Sequence, residues 1–188
     1  MNINLFFPTP VADDKIESDL EDYVLSLSRS DEGVNKSNSG GWQSKPYSKP
    51  ENEFAELWNA IEERVNIYHK NMSLKGNVQI SSWWFNVNYK GCMNRQHQHP
   101  NSIHSGVYYI KAPENCGNIC FPNPNQTLMW GWPSGITKTS NSTNSEIATL
   151  KPVKNLLYIF PSWTNHSVDA NESDEPRISL SFNTGLIQ

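Results

Sequence analysis

Three of the chain's five histidines fall within eight residues, in the stretch "RQHQHPNSIHSGVYYIK" from Arg95 to Lys111. His97 and His99 are alternate residues, which on a strand puts both rings on one side and Gln98 on the other. Two imidazoles converging in this way are a usual ligand pair for a first-row metal. His-x-His alone is short and common, so the metal reading gains weight only from a third ligand on a distant strand. His166 is that candidate: the apolar run Leu156 to Phe160 enters Pro161 and a short turn, and His166 follows. His104, in the "PNSIH" turn, is a weaker candidate, and so is Asp169, placed by chain geometry too near His166 to share its metal. Eleven residues beyond His166, Arg177 opens the alternating strand "RISLSF", with Ser179 on the same side. An arginine at the head of a mostly apolar strand calls for an anionic partner, because a buried unpaired charge is costly. That partner is either a bound anion or one of the neighbouring acids Glu172, Asp174 and Glu175.

These residues need a scaffold that brings distant strands together. From Val78 onward the apolar pattern has period two, and "VQISSWWFNVNY", "SGVYYIK", "GNICF", "EIATL", "NLLYIF" and "RISLSFNTGLI" read as strands between Pro, Gly and Asn turns. Short strands in such number with no intervening helix imply a sandwich, barrel or jelly roll. Upstream, Ile16, Leu20, Tyr23, Val24 and Leu27 have helical spacing, with Asp13 or Asp14 as cap. A second helix runs from about Glu51 to Lys70, its stripe formed by Phe54, Leu57, Trp58, Ile61, Val65 and Tyr68, with His69 beside it as a surface or packing residue. The polar stretch between them carries Trp42 and Tyr47, which suggest an ordered loop laid over something. The expectation is one domain, 1–188, with a helical support over 1–77 bracing one face of a β-core over 78–188.

Composition narrows the function classes. The chain has 188 residues, enough for a sizeable core, and a net charge of -4, which does not indicate a nucleic-acid surface. No apolar run approaches the roughly 20 residues of a membrane helix. The N-terminal segment has neither the basic start nor the apolar centre of a secretion signal. Cys92, Cys116 and Cys120 are odd in number, lack zinc-ribbon spacing and read as free thiols, so the chain is expected in the cytoplasm. The expected partner is a small-molecule or peptide substrate, with a homodimer as one assembly open to it.

Taken in order, His-x-His, a distal His and Arg-x-Ser about ten residues on resemble the Fe(II)/2-oxoglutarate-dependent oxygenase superfamily, whose usual pattern is His-x-Asp, a distal His and Arg-x-Ser. In "NYKGCMNRQHQH", Tyr89 and Gly91 precede His97 much as prolyl hydroxylases carry Tyr-x-x-Gly, with one residue fewer between them. "HQHPNSIHSGVYYIKAP", "FPSWTNHSV" and "RISLSFN" are most similar to a family of 2-oxoglutarate oxygenases of bacteria and marine phages, mostly without an assigned substrate. The resemblance spans Ser82 to the C-terminus, with "SGGWQSK" at Ser39 to Lys45 belonging as well.

The resemblance implies a double-stranded β-helix, or jelly roll, in agreement with the strand pattern. It implies Fe(II) held by His97, His99 and His166, and 2-oxoglutarate gripped through its distal carboxylate by Arg177, with Ser179 and Tyr89 as further donors. His99 stands where the superfamily carries its carboxylate ligand, which leaves the metal one unit more positive. Three functions follow: an oxygenase coupling decarboxylation of 2-oxoglutarate to hydroxylation of a substrate, a non-catalytic metal-binding module, and a three-histidine cupin-type dioxygenase working without 2-oxoglutarate. Arg177 and Ser179 favour the first, since only that one needs a carboxylate clamp. Among the tryptophans, Trp83, Trp84, Trp130, Trp132 and Trp163 read mostly as core, whereas the long polar loop Pro122 to Ser145, carrying Trp130 and Trp132, suits a substrate lid.

Overall fold

The computed structural model describes residues 1–50, 52–125, 131–133 and 135–187. Among them, two antiparallel sheets face each other. The major sheet has the order β1-β9-β6-β11-β4-β3 and the minor sheet β2-β5-β10-β7-β8. The strands are β1 (Ala12–Lys15), β2 (Asn38–Ser39), β3 (Trp42–Gln43), β4 (Val78–Asn88), β5 (Met93–His97), β6 (His104–Lys111), β7 (Ile119–Pro122), β8 (Ile147–Leu150), β9 (Leu156–Pro161), β10 (His166–Val168) and β11 (Arg177–Leu186). Helices α1 (Glu21–Ser30) and α2 (Ala55–Asn71) lie outside the major sheet. The chain folds as the expected jelly roll, braced on one side.

The major sheet packs the helices on one face and the minor sheet on the other, and β6 and β9 sort their residues between both cores. Ile178, Leu180 and Phe182 of β11, Tyr108 and Ile110 of β6, and Leu157 and Ile159 of β9 face the helices. The α2 stripe of Leu57, Trp58, Ile61, Val65 and Tyr68 packs on them, and Phe54 sets its ring edge-on to Trp83 at 4.9 Å. The alternate residues Val107, Tyr109, Tyr158 and Phe160 turn inward and meet Ile119 and Phe121 of the minor sheet. In β4 the helix-facing phase changes from Val78 and Ile80 to Trp83, Phe85 and Val87. A straight strand forbids this, but the register shift opposite Asn183 and Thr184 leaves Ser81 as an extra residue and flips the phase. That bulge turns Trp84, Asn86 and Asn88 into the space between the sheets.

Phe182 lies across Gly106, where an added Cβ would sit 2.3 Å from the Phe182 ring and 2.6 Å from the Tyr158 carbonyl. Gly106→Ala is therefore expected to destabilise the fold by about 1–3 kcal/mol, read as a lower denaturation midpoint with an unchanged slope.

The N-terminal part departs from the sequence expectation. Asp13 and Asp14 cap no helix: they lie in β1, paired with Tyr158 and Leu157 along the edge of β9. α1 begins only at Glu21, and although Ile16 and Leu20 are buried as their spacing suggests, they precede it. Hydrogen bonding along an open sheet edge here outweighs local helical spacing. Residues 1–77 are thus not a purely helical support, since β1, β2 and β3 join both sheets. Trp42 and Tyr47 do sit against the core, Tyr47 stacked on Trp83 at 4.6 Å. No helix among the described residues is long and apolar enough to cross a membrane.

Candidate metal centre and anion clamp

His97 is the last residue of β5 and His166 the first of β10, and the two are direct cross-strand partners. A pairing between residues so distant in sequence sets their rings 4.3 Å apart, centroid to centroid. His99 lies two residues beyond the end of β5, so strand alternation is not what aims it. Its backbone N–H donates to the carbonyl of Ser162 at 3.0 Å, tying it to the turn that leads into His166. Its ring comes to 4.9 Å from that of His97 and 5.1 Å from that of His166. One ligating atom from each histidine can be chosen so that all lie within 4.8 Å of one another. Metal–nitrogen bonds of 2.0–2.1 Å require separations of roughly 3–3.5 Å, a small inward rotation away.

Hydrogen bonds fix which nitrogen faces inward. Nδ1 of His97 lies 2.7 Å from the Arg95 carbonyl, and Nδ1 of His166 lies 3.0 Å from the Thr164 carbonyl. A carbonyl only accepts, so both rings carry their proton on Nδ1 and keep Nε2 as a lone-pair donor for a metal. Burial, together with the neighbouring imidazoles, lowers His99 to about 3 and His166 to about 4, and burial also lowers His97. All three are neutral near pH 7, the form that ligates.

His104 is not brought to the site. It faces α2, where its Nε2 meets His69 Nδ1 at 2.8 Å, and burial lowers it to about 4. His69 is accordingly a buried packing residue, with no surface role. The unfolded chain takes up protons near the ordinary histidine value of 6.5, whereas His97, His99, His104 and His166 resist them in the fold. Stability is full above pH 6.5 and is lost as pH falls towards 4. Thermal melts of metal-free protein should therefore show a lower Tm at pH 5 than at pH 7.5, and equal values would contradict the burial described.

Arg177, at the start of β11, is 2% exposed. Its Nη1 donates to the Cys116 carbonyl and, longer, to those of Asp169 at 3.3 Å and Gly117 at 3.4 Å. Gly117 has φ +85°, and a side chain there would collide with the Asp169 carbonyl and with Nη1 itself. Two of the three acids that could have paired with Arg177 are engaged elsewhere, Asp174 with Lys90 at 2.6 Å and Glu175 with Lys111 at 2.9 Å, and among the described residues Glu172 makes no ion pair with Arg177 either. Among the described residues, Nη2 of Arg177 is buried without a hydrogen-bond partner, and so is the hydroxyl of Tyr109. Burial pushes the Tyr109 phenol well up, so it stays a proton donor. Both residues line one cavity with the three histidines, Ser179, Ser181, Asn86 and Trp84.

Tyr89, expected as a further donor, does not line this cavity: it is 49% exposed beyond the end of β4. The tyrosine that does line it is Tyr109, directly across from Ser179 in the sheet. Strand alternation in "SGVYYIK" could have found it, since Val107 and Tyr109 share a side. Asp169 stays outside the histidine cluster, its Oδ2 accepting from the Cys120 thiol at 3.3 Å, and Cys116 and Cys120 are buried free thiols. Trp83 is core, Trp84 lines the cavity, and Trp132 and Trp163 are exposed, while Trp130 lies outside the described residues.

A family model described as "Putative 2OG-Fe(II) oxygenase" matches residues 82–183, more than half of the chain. Among solved structures, the collagen prolyl hydroxylase of Paramecium bursaria Chlorella virus-1, in its 2-oxoglutarate complex, is 15% identical, with 94% of this chain and 96% of that chain covered and a TM-score of 0.63. A Pseudomonas putida prolyl-4-hydroxylase is 12% identical over 96% and 94% of the two chains, with a TM-score of 0.65. HygX of Streptomyces hygroscopicus, holding nickel, 2-oxoglutarate and hygromycin B, is 10% identical over 95% and 83%, with a TM-score of 0.57. No curated protein matches the sequence.

Proposed function

The chain belongs to the 2OG-Fe(II) oxygenase family, and from that premise we propose that it hydroxylates its substrate at a centre formed by His97, His99 and His166, with 2-oxoglutarate held by Arg177. The observation that carries this reading is the orphaned guanidinium. A buried arginine whose Nη2 has no hydrogen-bond partner among the described residues, with a phenol in the same state lining the same cavity, makes a pair of donors suited to an anion. A carboxylate accepts both, and the histidine nitrogens across the same cavity suit the other end of a keto acid.

The residues fit the group they would hold. Three neutral imidazoles in a half-buried site suit a first-row divalent metal and leave further positions open. Iron and 2-oxoglutarate, when bound, would supply the oxidising chemistry: of the two atoms of dioxygen, one would convert the keto acid to succinate with loss of carbon dioxide and the other would enter a C–H bond of the substrate. The chain supplies orientation and shielding. Arg177 and Tyr109 fix the distal carboxylate, Ser179 places a hydroxyl beside it, and the Arg95 and Thr164 carbonyls hold two ligand rings in one tautomer.

The deciding experiment is an anaerobic titration of iron-loaded protein with 2-oxoglutarate, followed by substrate-free turnover under oxygen with succinate as the readout. Binding of one equivalent is expected, and absence of binding would refute the reading. Tyr109→Phe removes one donor and nothing else of size, so it should weaken 2-oxoglutarate about fivefold to thirtyfold, the equivalent of roughly 1–2 kcal/mol.

A further inference from the structure

Residues 2–11, "NINLFFPTPV", carry no charged side chain. Ile3, Leu5, Phe6 and Phe7 are between 58% and 95% exposed, an apolar run that the body of the protein leaves uncovered. The body takes up the chain at Pro10, whose carbonyl accepts from the Tyr68 hydroxyl of α2 at 3.0 Å. A second apolar surface begins beside that contact. Ile67, next to Tyr68 on α2, Leu74 in the turn that follows, and Leu186 and Ile187 at the end of β11 are each about half exposed. Backbone pairing around Val78 gathers them at one end of the major sheet. Leu186 is the strand partner of Val78, Asn66 donates to the Val78 carbonyl at 2.8 Å, and Ile187 donates to the Asn77 carbonyl at 3.0 Å. The exposed Lys70 and Lys75 flank these residues along the chain, giving the apolar centre and polar rim of an interface.

Within one chain neither surface covers the other, and the link between them has a physical reason to keep them apart. Pro8 and Pro10 fix their own backbone angles, and Phe7 has φ +57°, a left-handed conformation that is strained for a bulky residue. A short, stiff and strained link resists folding back on its own chain and favours exchange between copies. We propose that two copies of this chain associate by exchanging residues 3–7, each segment lying on the other copy's surface of Ile67, Leu74, Leu186 and Ile187. The arrangement closes under a two-fold axis, since each copy gives one segment and receives one. Two segments bring four phenylalanines, each able to bury about 150–250 Å². With the surfaces they cover, the total passes the roughly 1,200 Å² at which specific, stable interfaces begin. The association uses neither the histidines nor Arg177, so it stands or falls apart from the proposed reaction.

Light scattering after size-exclusion chromatography measures the mass in solution, and the parent should show twice the chain mass at micromolar concentration. Phe6→Ser with Phe7→Ser, and separately Leu74→Glu with Leu186→Glu, should each raise the dissociation constant at least thirtyfold. Both variants should keep native circular dichroism, because all four side chains are exposed. Mixing the two variants restores one intact contact, the segment of the second on the surface of the first. Titration of one labelled variant with the other should therefore show saturable one-to-one binding, weaker than the parent dimer, where neither variant binds itself. A parent that stays monomeric would overturn the proposal, whether or not Phe6 and Phe7 bind phosphatidylcholine vesicles instead. So would a dimer that either variant leaves intact, or variants that fail to bind each other.

Discussion

Replacing Arg177 with alanine should weaken 2-oxoglutarate at least thirtyfold while leaving the metal content of the protein unchanged. The expected loss, on the order of 2–5 kcal/mol, is that of one partner in a charge-assisted pair shielded from water. This side chain is shielded: it is 2% exposed, and its Nη2 has no hydrogen-bond partner among the described residues. Arginine also makes three bonds to carbonyls behind it, so the alanine variant loses some stability as well. Arg177→Lys separates the two effects. It retains the charge but has no planar fork with which to hold carbonyls and carboxylate together, so its affinity should fall between the other two. Calorimetry on the three proteins, each checked for metal by elemental analysis, decides the matter. If Arg177→Ala binds 2-oxoglutarate as the parent does, the clamp is assigned to the wrong residue.

His166→Ala should show the opposite order of losses. The metal goes first, with affinity falling on the order of a hundredfold or more, because even an outer partner of a ligand is worth ten- to a hundredfold. 2-Oxoglutarate binding then fails as a consequence, since only the Arg177 end remains to hold it. The fold should survive, as β10 keeps its pairing with β5 and β7 through the backbone. A variant with native circular dichroism and full metal content would remove His166 from the ligand set.

Much of this site is written in local sequence pattern, and what is not has a physical cause. The alternation in "RISLSF" places Arg177, Ser179 and Ser181 on one side wherever the strand goes, and the fold keeps that arrangement. The pairing of His97 with His166 is legible only as a wish for a third ligand, because register between strands so far apart depends on the whole barrel. β5 and β10 themselves are hard to see: "MNRQH" and "HSV" are short, polar and half-exposed, so they lack the apolar alternation that marks a strand. β2 and β3, of two residues each, are below any period. The exchange of Tyr89 for Tyr109 shows the converse error. A family-like motif drew attention to a residue past the end of its strand, while plain alternation within β6 already pointed another tyrosine inward.

The two halves of the site hang on strands of unequal security. β11 is paired with β4 along its whole length and with β6 from Ile178 to Asn183, in the middle of the major sheet. The three histidines sit instead at or just past the ends of two short strands joined across a register break, His97 and His166 at strand ends and His99 two residues beyond β5. Backbone amides in β11 should exchange with deuterium only through global unfolding, and those around Met93–His97 and His166–Val168 through local opening on a faster clock. With the proposed ligand set, a metal ion is then expected to leave and return through loosening of the minor sheet, while β11 keeps the Arg177 end of the cavity in place. Metal loss from the proposed site is accordingly expected to be reversible, repaired by reloading without refolding.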